Sequence, residues 1–115
     1  MNTDTAHAGN LNFSDATKRA MGIRALYHKL EVQHHKTAWS TEEDMLAFSS
    51  DVGALARLLM ASEGRWGLEG DVQAELKDKA AECLWWLLVV SDRLNVDLAE
   101  AFESFMGKVE EKLIT

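Results

Sequence analysis

The chain has 115 residues, 47% of them hydrophobic, with 12 Lys plus Arg against 19 Asp plus Glu and a formal net charge of -7. That length suits one domain, and that apolar share excludes disorder of the whole chain. The acidic balance speaks against a general nucleic-acid binder, which needs a basic surface to displace counterions. It leaves room for a nucleotide reached through a divalent cation.

Residues 1–12, "MNTDTAHAGNLN", are polar and read as a flexible tail without the apolar stretch of a signal peptide. The sequence has no proline and its β-branched residues are scattered, so helices are the expectation. Asn12 or Ser14 caps a first helix running to about residue 35, with Ala20, Ile23, Tyr27 and Leu30 at helical spacing. "HHKTAW" breaks that pattern. A second helix opens at "STEE", where Ser40 and Glu43 have the spacing of a capping box. It should carry Met45, Phe48, Val52, Leu55 and Leu59 inward and end near Gly64. After the glycine-containing loop "GRWGLEGD", Asp71 caps a third helix to about Leu94, with Asn95 as a left-handed stop. "DLAE" pairs Asp97 with Glu100 and opens a fourth helix. Its stripe is Leu98, Ala101, Phe102, Phe105, Val109 and Leu113. The expected architecture is a single all-α domain over 13–115, a four-helix bundle with short connections.

The segment "CLWWLLVV", residues 83–90, is apolar on every side of a helix, and Trp85 and Trp86 point about 100° apart. It is too short to span a bilayer and must be covered all round by protein. A partner subunit covers it more easily than three helices of one short chain, so a homodimer or homotetramer with the third helix central is expected. The single cysteine, Cys83, lies in this run and cannot form an intramolecular disulfide. It reads as a small buried hydrophobe in a chain suited to the reducing cytoplasm.

An acidic turn, then "LWWLL", then "DRLNVDLAEAF", with "DVGALARLL" earlier, resembles the MazG-like all-α nucleoside triphosphate pyrophosphohydrolases. The resemblance spans roughly residues 20–110 and rests on pattern and order. It implies a bundle that assembles as a dimer or dimer of dimers. It also implies hydrolysis of an NTP or dNTP to the monophosphate and pyrophosphate, with Mg²⁺ (or Mn²⁺) held by four acids, ExxE on one helix and ExxD on the next. Residues i and i+3 share a helix face, so two facing helices can ring a metal with oxygens. The metal then screens phosphate charge and activates a water.

This sequence departs from that motif. The first pair reads Asp51 and Ala54, the second Lys79 and Glu82. The positions matching the family's phosphate contacts on the last helix are Phe105 and Val109, both in the apolar stripe. One reading is a lost site: Lys79 lies within reach of Glu82, faces Asp51, and puts its ammonium where the metal would sit. The other is a shifted site, in which Asp51, Asp78 and Glu82 supply three carboxylates. Asp51 and Glu82 are then the catalytic candidates. The chain is accordingly expected to be either a pyrophosphohydrolase with a degraded or shifted site, or a non-catalytic module that binds a nucleotide or a protein.

Other candidates are weaker. His28, His34 and His35 form no compact zinc set and read as surface histidines. Arg65 and Trp66 in the glycine loop are substrate candidates, a phosphate grip and a base platform, although Trp66 equally suits closing the bundle end. Trp39 either lines a base pocket or staples the second helix, and the staple is preferred.

Overall fold

In a computed structural model, which describes residues 11–114, the chain forms four helices and, among the described residues, no strand. They are α1 (Phe13–His35), α2 (Thr41–Ser62), α3 (Val72–Arg93) and α4 (Leu98–Ile114). Of the tail expected over residues 1–12, residues 1–10 lie outside the described residues, and Asn12 belongs to the fold as the cap of α1.

Local chemistry sets the boundaries. The Asn12 side chain accepts from the Asp15 amide at 2.9 Å. Ser40 and Glu43 close both halves of their capping box, at 3.2 and 2.9 Å. Asp71 accepts from the Ala74 amide and Asp97 from the Glu100 amide. Two helices stop the same way. At the end of α2, Gly64 has φ 76°, its amide reaches the Ala61 carbonyl, and the Arg65 amide reaches Met60. At the end of α3, Asn95 has φ 58°, with the matching bonds to Asp92 and Ser91. Both are Schellman stops, in which a left-handed residue turns the chain back onto the last free carbonyls.

α2 and α3 run antiparallel: Asp44 meets Arg93, Asp51 meets Lys79 and Trp86, and Ala54 and Leu58 share a cavity wall with Glu75 and Asp78. α1 crosses this hairpin. Ala20 packs with Leu88 and Val89, and its carbonyl accepts from the Trp85 indole at 3.1 Å. α4 touches α1 and α3 sparsely and α2 not at all, and none of its described residues is buried.

The inward face of α2 differs from the expected one. Of the five residues expected inward, Phe48 and Leu55 turn toward the neighbours together with Asp44, Asp51, Ala54 and Leu58, while Met45, Val52 and Leu59 are exposed. The line through Asp44, Asp51 and Leu58 runs about 100° round the helix from that through Met45, Val52 and Leu59. The ion pairs explain the choice, because this rotation lets Asp44 and Asp51 meet the cations of α1 and α3. By length and composition α2 is apolar enough to cross a membrane. Its two inward acids are nevertheless tied to Arg24, Arg93 and Lys79.

The run 83–90 is covered on one side only. Cys83, Trp86, Leu88, Val89 and Val90 are buried, whereas Leu84 and Leu87 face out.

Candidate functional site

Two acid–base clusters sit on the inward face of α2, two helical turns apart. The first centres on Asp44. Its Oδ1 accepts from Arg24 Nη2 at 2.8 Å, and its Oδ2 accepts from Arg93 Nη1 at 2.7 Å and Arg24 Nε at 3.2 Å. Arg24 also donates to both oxygens of Glu31, at 2.8 and 3.2 Å. Glu31 in turn accepts from the Trp39 amide at 2.7 Å, while the Trp39 carbonyl accepts from Arg93. The side chains of Asp44 and Arg24 are 0% and 1% exposed. Burial pushes Arg24 down, but its bonds to Glu31 and Asp44 outweigh this and hold it above its ordinary pKa. For Glu31 burial pushes up, and the bonds from Arg24 and the Trp39 amide prevail and hold it below the ordinary carboxylate range.

The second cluster centres on Asp51. Lys79 Nζ donates to Asp51 Oδ1 at 3.1 Å and to Glu82 Oε1 at 2.8 Å. The indole of Trp86 donates to the other oxygen, Asp51 Oδ2, at 2.7 Å. The bonds to Glu82 and then Asp51 raise the Lys79 pKa. Cys83, one residue beyond Glu82, has its thiol pushed up by burial and then by the nearby Asp51 charge, so it stays protonated and inert.

Beside this cluster opens a cavity of ≈430 Å³ between α2, α3 and the loop that joins them. Lys79, Glu82, Asp78 and Glu75 line its α3 wall, and Ala54, Arg57 and Leu58 its α2 wall. Trp66 and Leu68 close it from the loop, and the Arg57 guanidinium lies 5.3 Å from the Trp66 ring centre.

The site residues expected from sequence therefore divide. Asp51, Lys79 and Glu82 are joined in one hydrogen-bonded set. Asp78 lines the cavity with Glu82 and Lys79, outside that set. Trp66 lines it too. Arg65 does not, and the basic group beside Trp66 is Arg57, one turn of α2 below Ala61 and not in the glycine loop. Trp39 stacks on Trp86, centroids 6.5 Å apart and planes 8° apart, which puts it behind Asp51 and away from the cavity. Phe105 and Val109 are on α4 and line neither wall.

The Arg24–Asp44–Arg93 cluster leaves no signal in the sequence, because a buried and a half-buried arginine meet around one aspartate only once three helices are packed together. His28, expected at the surface, is half-buried. The His28 Nε2 is buried without a partner, and burial, then Arg24 and Arg93, lower the His28 pKa. His34 and His35 are exposed.

The donor set has a clear consequence for a divalent metal. A Mg²⁺ between Asp51 and Glu82 would have to displace the Lys79 ammonium, and Asp51 Oδ2 is already committed to Trp86. As arranged, these residues do not fit a metal that wants several free carboxylate oxygens. No family model, no curated protein and no solved structure matches this chain.

Proposed function

We propose that the chain is a non-catalytic member of the MazG-like group whose α2–α3 cavity binds a nucleotide without a metal. The observation that carries this reading is the Lys79 bridge between Asp51 and Glu82. A lysine there neutralises the acids that a metal would otherwise hold, and it raises the electrostatic cost of bringing in a second cation.

The cavity walls favour a particular ligand. A volume of ≈430 Å³ is within the range of small-molecule sites. Trp66 offers an aromatic face to a base, and Arg57 beside it offers a planar fork to a phosphate. Glu75, Asp78 and Glu82 offer acceptors for amino and hydroxyl groups. Three carboxylates against two cations disfavour a triphosphate that arrives without its own metal. A nucleoside or nucleoside monophosphate suits that balance better.

Calorimetric titration with nucleoside mono- and triphosphates, each with Mg²⁺ and with chelator, tests the reading. Binding of a monophosphate that is unchanged by chelator and lost in Arg57→Ala supports it. Mg²⁺-dependent release of pyrophosphate from a triphosphate would return the chain to the enzymes, and would direct attention to Asp78 as the further ligand of the shifted site.

A further inference from the structure

The helices leave a large apolar surface without a partner. The radius of gyration is 17.0 Å, where a compact chain of this length has about 13 Å. The accessible surface is 8799 Å², where a compact monomer of 12.9 kDa exposes about 6,300 Å². Setting aside the eleven undescribed residues at the full surface of an unfolded chain, and comparing the other 104 with a compact chain of their own size (about 5,900 Å²), still leaves an excess of about 1,200 Å² per chain. A standard interface takes roughly 800 Å² from each partner.

Two features carry this excess. One is α4, whose stripe of Phe102, Phe105, Val109 and Leu113 projects from the bundle, Phe105 being 63% and Leu113 76% exposed. The other is a groove of ≈380 Å³ between α1 and α3, walled by Ala16, Ala20, Ile23, Leu84, Trp85 and Leu88. No α4 residue lines this groove. Phe102 rests instead on Phe13, ring centres 6.1 Å apart, and the tight stop at Asn95 fixes the direction in which α4 leaves.

We infer that α4 of one copy lies in the α1–α3 groove of a second copy, and that the second copy's α4 returns the exchange. A helix with an exposed apolar stripe and an apolar groove on the same chain are self-complementary, which is what a two-fold contact requires. The charges agree. Glu103 and Glu110 line one side of the stripe and Lys108 and Lys112 the other, and Arg19 stands on the groove wall, so the orientation of α4 that sets its acidic side beside Arg19 is the one selected. The exchange also covers Leu84, the 49% exposed member of the run 83–90 that the chain's own helices leave bare.

Cross-linking tests the exchange directly. Phe105→Cys and Leu84→Cys are placed on two separately tagged full-length chains, mixed and oxidised, with each single variant oxidised alone as a control for Cys83. The exchange predicts a disulfide-linked heterodimer in the mixture only. With both substitutions on one chain, it predicts linked dimers and not a fast-migrating internally bridged monomer. In parallel, Phe105→Glu, which disturbs no buried residue, should leave helicity unchanged and weaken dimerisation at least tenfold in light scattering. An internally bridged monomer, an unweakened Phe105→Glu dimer, or a wild type that is monomeric at every concentration would each overturn the inference. The last result would assign the surface to a different protein or to a membrane.

Discussion

Asp44 and Asp51 face the same way from the same helix, and each meets a cation of α3, yet they do different work. Asp44 is sealed between Arg24 and Arg93, with both of its oxygens hydrogen-bonded and none of its side chain exposed. Asp51 shares one lysine with Glu82, and that lysine also forms the wall of an open cavity. The difference between them is burial and not chemistry. A sealed pair fixes the register of three helices, because any slip would strand a charge in the interior. A pair at a cavity edge can exchange its partner for a ligand, so it is the one suited to function.

That comparison is open to breaking. The largest effect is expected at the sealed cluster. Asp44→Ala leaves Arg24 and Arg93 without their shared acceptor, and should cost about 3–5 kcal/mol in urea unfolding, enough to unfold a marginal domain. Lys79→Met should cost far less, about 1 kcal/mol or below, since Asp51 and Glu82 can turn to water. Equal losses at the two sites would mean that the cavity edge is as structural as the core. Of similar size, Ser40→Ala should cost about 1 kcal/mol by removing half of the box that starts α2 and so positions both acids.

The smallest expected effect is a pH slope at His28, which contacts the field of the sealed cluster. Arg24 and Arg93 face it with like charge, Glu31 and Asp44 with opposite charge, and burial with the arginines keeps it neutral. Its folded pKa is therefore below its unfolded value of about 6.5. The unfolded chain binds the extra proton first, so this contribution to stability is present above that pH and is lost as pH falls below it. Thermal melts at pH 7.5 and 5.5 should show a drop in the wild type that His28→Leu reduces.

Much of the fold was legible because its punctuation is local. Asn12, Ser40, Asp71 and Asp97 accept the amides that cap their helices, and Asn95 takes the left-handed stop. The contact of Lys79 with Glu82 follows from i, i+3 spacing alone. The rotation of α2 was not legible. Hydrophobic periodicity points to Met45–Val52–Leu59, and the helix instead follows its two acids, whose partners lie on other helices. Arg57 was missed for the same reason: nothing in the sequence says that it shares a wall with Trp66.

The most direct measurement is a calorimetric titration of Mn²⁺ into the wild type and into the Lys79→Glu, Ala54→Glu double variant, which places acids at the two positions that break the ExxE and ExxD pattern. With Lys79 closing the acid pair, the wild type should show no saturable binding up to millimolar metal, and the double variant should bind saturably. Tight binding by the wild type, unimproved in the double variant, would contradict the account and mean that the lysine yields the site to the metal.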